Sequence, residues 1–210
     1  TQVNNCTFSN NLRGVVLRTV SNCSVNDCKV DSYTTTGYEV SYKTEQWAGG
    51  KNVAYSSNVV FSNCIANAFG AQGLAGFFNK ASKNIVLNNC TVGGGSPRHH
   101  ILYDSEGGIT SGIQVLNNFE VNNLTINSAV TSNVTYDTSA IRLKLADGFA
   151  KLNGLYSVFG GVLINASNSG TSAPHLYVSN VPYLDPSAQF QTDGSYMDNC
   201  SIADPSNTVV

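Results

Sequence analysis

One short pattern recurs along this chain and leaves it few folds to choose from. In Val59-Val60-Phe61-Ser62-Asn63-Cys64-Ile65-Ala66 an apolar–polar alternation meets a single Asn and then resumes. Successive side chains of a strand point to opposite faces, so Val59, Phe61, Cys64 and Ala66 share one interior. Asn63 marks a bend, because Asn tolerates left-handed backbone angles and its amide can bond locally. Close copies cover 22–30, 84–92 and 118–126, and weaker ones cover 3–8, 152–155, 178–183 and 197–202. The bend therefore falls at residues 5, 27, 63, 89, 123, 154, 180 and 199, with spacings of 22, 36, 26, 34, 31, 26 and 19. A floor near 20 residues with a variable excess is one coil per repeat plus loops of changing length, the period of a solenoid.

A third strand type lies between these pairs, at 14–18, 37–41, 76–80, 100–104, 140–144, 161–165 and, faintly, 189–192. Most members start at Gly. Each coil thus holds three strands: the first begins at a Gly-like residue, the second ends at the bend, and the third follows it. The composition agrees. Charged residues are only 11%, the chain carries 26 Asn, and strong helix formers are scarce. A formal net charge of −2 gives no basic footprint for nucleic acid, and no apolar run reaches membrane-spanning length.

Cys6, Cys28, Cys64, Cys90 and Cys200 occupy the same repeat position, just after the bend, and Cys23 is interior on a neighbouring strand. Stacked coils lie about 4.8 Å apart, but parallel side-chain directions suit a disulfide poorly. The expectation is free, buried thiols that act as small apolar residues, compatible with folding in a reducing cytoplasm. No Cys or His spacing suggests a zinc site, and no metal or cofactor is expected.

The G-φ-x-φ strand followed by the φ-x-N-C/L-x-φ pair resembles the right-handed parallel β-helix of the pectate-lyase-like superfamily, over nearly the whole chain. The resemblance implies an all-β, single-stranded right-handed solenoid of about seven coils with three strands each. It also implies a ladder of stacked Asn side chains at the bend, matched by Asn63, Asn89, Asn123, Asn180 and Asn199 and broken at Asp27 and Gly154. The array, read as one domain over 1–210, begins without a complete coil and shows no capping helix, so a fragment of a longer chain is expected.

Outward positions of the first strands mix charges of both signs: Arg18, Glu39, Lys80, Asp104, Arg142 and Lys144. Long loops flank that face, including 42–57 with Glu45 and Trp47, and 105–117 with Glu106. Such loops are where function tends to sit. Glycoside hydrolysis needs two carboxyls astride one bond. Glu39 and Asp104 are the candidate pair, two coils and roughly 10 Å apart by strand spacing, with Glu106 and Glu45 as substitutes from the loops. Trp47 is a natural platform for a sugar ring, and Tyr42, Tyr55, Phe78 and Tyr136 are possible companions. Arg18, Lys80, Arg98, His99, Arg142 and Lys144 complete the substrate-binding set. The plainer reading of these acids is charge balance with Arg18, Lys80 and Arg142.

Low charge, abundant Asn, Ser, Thr and Gly, and unbridged cysteines make the chain similar to bacteriophage tailspikes and capsule depolymerases. That similarity implies a homotrimer on a virion, folded in the host cytoplasm, which binds and cleaves bacterial surface polysaccharide as an endoglycosidase. The alternatives are a non-catalytic structural or adhesive β-helix, and a secreted polysaccharide lyase or epimerase. The Asp cluster of calcium-dependent lyases is not evident.

Overall fold

The structure is a computed structural model that describes residues 1–47, 50–70, 73–80, 82–104, 117–130, 139–145, 148–168, 175–191 and 195–202. Every regular element among them is a strand. One long sheet stacks Gln2–Asn4, Ser21–Asn26, Ser57–Ser62, Lys83–Gly94, Asn117–Ile126, Gly148–Ser157, His175–Leu184 and Ser195–Ile202, with Thr7–Ser9, Lys29–Tyr33 and Ile65–Ala68 running beside it. A second sheet stacks Arg13–Arg18, Thr36–Ser41, Ala75–Lys80, His99–Asp104, Ile141–Leu145, Ile164–Asn168 and Gln189–Gln191. All pairings in both sheets are parallel, each strand lying beside its counterpart from the next repeat. Val25, Phe61, Leu87, Val121, Leu152 and Val178 form one such interior column. The architecture is all-β with long parallel sheets, consistent with a β-solenoid.

All eight bend residues have positive φ, from 49° at Asn199 to 70° at Gly154. The bend is thus a one-residue left-handed kink. From Lys83 onward second and third strands run on through the bend as one element. Backbone bonds tie the bends along the stack, with Asp27 N donating to Ser62 O at 2.9 Å and Asn63 N to Asn88 O at 2.9 Å. Side chains add a ladder in which Asn123 Nδ2 donates to Asn89 Oδ1 at 3.1 Å. Asp27 does not break the ladder as expected: its carboxylate accepts from Asn63 Nδ2 at 2.9 Å. An Asp can fill a ladder position from which it only has to accept. Gly154 does break it, and Asn180 Nδ2 turns instead to Asn153 Oδ1 at 2.7 Å.

A second ladder opens the second strands. Asn58 donates to Asn22 (3.0 Å), Asn84 to Asn58 (2.8 Å) and Asn118 to Asn84 (3.1 Å). Asn22, Asn58 and Asn84 also have φ of 52–54°. An Asn is the second residue of each of these strands: at Asn22, Asn58 and Asn84 it accepts a left-handed backbone, and from Asn58, Asn84 and Asn118 it donates its amide to the preceding coil.

The Gly that opens a first strand answers to close approach of the third strand. A Cβ on Gly14 would lie 2.3 Å from Val30 Cγ1, and one on Gly76 2.1 Å from Val92 Cγ1. Two departures from expectation concern connections. The excursion after Ser41 is an antiparallel hairpin, Lys43–Trp47 with Gly50–Ala54, pairing Trp47 with Gly50. The first strand read at 161–165 starts instead at Ile164 and runs to Asn168, with Asn165 beside Arg142.

All six cysteines are unbridged; Cys23, Cys28, Cys64 and Cys90 are buried. The thiols that follow a bend donate to main-chain carbonyls, as Cys64 Sγ does to Val25 O at 3.3 Å and Cys28 Sγ to Asn26 O at 3.2 Å. Burial pushes the Cys23 and Cys28 thiols up, which keeps them protonated and unreactive. Beside them the core is aromatic. Tyr38 stacks on Phe77 at 4.9 Å, and Phe61 meets both edge-on at 5.4 and 5.6 Å. Tyr38 Oη donates to Cys28 O at 2.7 Å, satisfying the one polar atom of this cluster.

Asn79 breaks that rule. It faces the interior in register with Val40 and Tyr103, and both amide atoms are buried without a hydrogen-bond partner. It borders a void of about 10 Å³ lined also by Phe61 and Phe77. An unsatisfied buried polar group costs about 1–3 kcal/mol. Asn79→Leu is therefore expected to raise the unfolding free energy by about that amount, read as a higher urea midpoint with an unchanged slope. A lower midpoint would show that the amide is bonded in solution.

Candidate functional site

The register of the second sheet sets which outward side chains stand together. Val16, Glu39, Phe78, Leu102, Arg142, Asn165 and Gln189 make one row along the stack. Two residues further along the strands, Lys80, Asp104 and Lys144 stand in a second row, and Arg18 pairs with Ser41. Over the early coils these rows form a recess of about 300 Å³, lined by Arg13, Arg18, Thr36, Glu39, Tyr42 and Lys80 among others.

Glu39 is the buried charge of this recess, 5% exposed. Its Oε2 lies 3.5 Å from Arg13 Nε and its Oε1 3.7 Å from Arg18 Nη2, while Thr36 Oγ1 donates to Oε2 at 3.5 Å. The pairing with Arg18 is the charge balance that the plainer reading of this acid expects. Both arginines sit on the preceding strand, Arg13–Arg18, so the carboxylate leans toward the N-terminal end of the stack. Asp104 lies two coils the other way and two residues along the strand. Two strand spacings and two residue rises put the backbones roughly 12 Å apart, beyond the earlier figure, which counted spacing alone. Inverting carboxyls stand about 6.5–9.5 Å apart, so this pair would have to close in to act together.

Asp104 acts on its other neighbours. Burial raises the Tyr42 phenol, and the Asp104 charge raises it further. Burial lowers the Arg142 guanidinium, which Asp104 partly offsets. Lys80 Nζ sits 5.6 Å from the Tyr42 ring centroid, a cation–π contact that ties the second row to the mouth of the recess. Tyr42 and Tyr55 lie 6.5 Å apart.

Lys80, Asp104, Arg142 and Lys144 are half-buried on this face; Arg98, at the end of the preceding connection, is also half-buried, and its N donates to Gly73 O at 2.8 Å. His99 is 6% exposed, with Nδ1 2.9 Å from Ser139 O. His100 is 1% exposed and bonds Ser128 Oγ at 3.3 Å. Both rings belong to the interior of their coil, not to the recess. Glu106 and Tyr136 lie outside the described residues, as do the side chains of Glu45 and Trp47. Arg13 and Thr36 were not legible as site residues. Each sits just before the Gly that signals a first strand, and only the strand pairing brings them against Glu39.

Among the described residues the acids Glu39 and Asp104 face Arg13, Arg18, Lys80, Arg142 and Lys144, a local excess of three positive charges in a chain of net charge −2. No group of three or more His, Cys, Asp or Glu among them could hold a metal ion. No helix among them is long and apolar enough to cross a membrane. Comparison with known proteins finds no matching family model, no matching curated protein and no matching solved structure.

Proposed function

We propose that the chain is a stretch of right-handed parallel β-helix, about seven coils of three strands, of the pectate-lyase-like type found in phage tailspikes, and that its first-strand face binds an acidic bacterial surface polysaccharide. The observation that carries the reading is the cationic excess along one flat face, with a recess and Tyr42 at one end. Successive coils repeat about every 4.8 Å, comparable to the rise of a sugar unit, so an extended glycan can lie along the rows and meet Arg18, Lys80, Arg142 and Lys144 in turn. Hydroxyls of the glycan would find Ser41, Thr36 and Asn165. Homotrimerisation on a virion belongs to the same proposal.

Cleavage is the more specific form. In it Glu39 and Asp104, with Glu106 as substitute, act as acid and base on one glycosidic bond. Support for binding is broader than for cleavage, because Glu39 is held by Arg13 and Arg18 away from Asp104.

The test is a panel of acidic capsular and O-antigen polysaccharides. Arg18→Ala and Lys144→Ala are each expected to weaken binding about threefold to tenfold, a loss that shrinks in high salt. If cleavage occurs, Glu39→Gln and Asp104→Asn should each abolish reducing-end release, and products without ultraviolet absorbance separate hydrolysis from lyase chemistry. A chain that neither binds nor cuts any member leaves the structural or adhesive reading.

A further inference from the structure

A larger concavity lies elsewhere, on the corner of the later coils. Its volume is about 730 Å³, within the usual range of ligand pockets. Three local features create it. Gly154 holds φ +70° at the bend and contributes no side chain to the Asn ladder. Asn180 turns to Asn153 instead of continuing the ladder through residue 154, and Asn123 Oδ1 leans over the bare Gly154. Then the strand register slips between Val181 and Leu184, a bulge that includes Pro182 and Tyr183. Tyr183 is 45% exposed, and Tyr156, on the neighbouring coil, is 64% exposed. The two rings line the same cleft as the Asn153, Asn180 and Asn199 side chains.

Every residue given for the lining is uncharged. That argues against an ionic ligand, which would be drawn to the cationic face instead. A strand-forming peptide fits poorly too. Strand addition needs an open sheet edge; Gly148–Ser157 and His175–Leu184, which carry both rings, are paired on both sides, and Ser195–Ile202, which ends the sheet among the described strands, offers its edge along the stack rather than into the cleft. Amide donors and acceptors in a row, with two phenol rings, match a ring ligand that has apolar faces and a rim of hydroxyls. We propose that this corner pocket is a binding site for a neutral oligosaccharide, separate from the acidic-glycan face and independent of whether that face binds or cuts.

The fold supplies its own test. Gly154→Asn places at this bend the residue found at six of the other seven bends, in a backbone those residues already adopt. Its Cβ would approach Asn123 Oδ1, the movable end of a side chain, at 2.5 Å. The variant should keep its fold and add a side chain to the lining of the cleft. Calorimetry would be run on wild type, Gly154→Asn and Tyr156→Ala against neutral hexasaccharides of glucose, galactose, mannose, rhamnose and N-acetylglucosamine. At least one should bind the wild type with an affinity insensitive to salt, and should lose at least tenfold in both variants. Binding of the acidic polysaccharides should not change in either. Failure of every neutral hexasaccharide to bind, or binding unaffected by both substitutions, overturns the proposal. Loss of acidic-glycan binding in Arg18→Ala alone bears only on the other face.

Discussion

Lowering the pH from about 6.5 to about 4 should cost this fold several kcal/mol, and His99 and His100 should account for most of the loss. Burial is the main cause of a low pKa in both rings, about 4 against an ordinary 6.5. Hydrogen bonds that the rings donate to Ser139 O and to Ser128 oppose the shift. Arg142 and Arg98 add to it at His99, and His99 adds to it at His100. His100 Nδ1 has no partner to receive a proton's charge. The folded rings therefore stay neutral while the unfolded chain protonates near 6.5. Between the two values the unfolded state binds more protons, so stability falls as pH falls, levels off below about 4, and is flat above about 6.5 on this account. Each ring sets a ceiling of about 3 kcal/mol, from 1.36 kcal/mol per pKa unit. Urea unfolding across pH 4–7 checks this. The slope of stability against pH should be roughly halved in His100→Gln and nearly removed in His99→Gln/His100→Gln, whatever the absolute stability of the variants. A wild-type slope retained by the double variant would assign the acid sensitivity to carboxylates instead.

Phe61→Ala should be the most damaging single truncation in the early coils, at about 3–5 kcal/mol. Phe61 is 1% exposed and packs edge-on against both rings of the Tyr38–Phe77 stack. It pairs with Val25 on one side and Leu87 on the other, each held in register by parallel backbone bonds. Neighbouring coils cannot collapse into the space without breaking those ladders, so most of the cavity would persist. The void beside Asn79 would merge with it. Urea denaturation should show a lower midpoint, and the near-ultraviolet dichroism of the aromatic cluster should weaken while the far-ultraviolet strand signal stays. A loss under about 1 kcal/mol would mean that the stack is more compliant than its pairing implies. Asn79→Leu, at the same void, carries the opposite sign, which separates packing from polar satisfaction at one location.

The bends were readable residue by residue, because a left-handed kink admits few residue types and the chain repeats them. Asn5, Asp27, Asn63, Asn89, Asn123, Gly154, Asn180 and Asn199 could be placed from their spacing, and all eight have the expected backbone. Interior and exterior also followed, since alternation around a kink allows only one assignment. That Cys28, Cys64 and Cys90 line the core is a consequence of that parity. The second Asn ladder was visible as a recurring letter at Asn22, Asn58, Asn84 and Asn118, but its meaning needed the coil-to-coil distance.

The candidate site was legible only as a set of outward charges. Glu39, Arg18, Lys80 and Asp104 share a face by parity, and parity says nothing of where along the strand they stand. Register decided that. It set Glu39 beside Arg13 and Arg18, set Asp104 between Lys80 and Lys144, and took His99 inside. Local chemistry along the chain determines how each coil bends and which side it hides. Which side chains from different coils meet depends on loop lengths and hydrogen-bond pairing between residues 20 to 40 positions apart, and that is a property of the stacked chain alone.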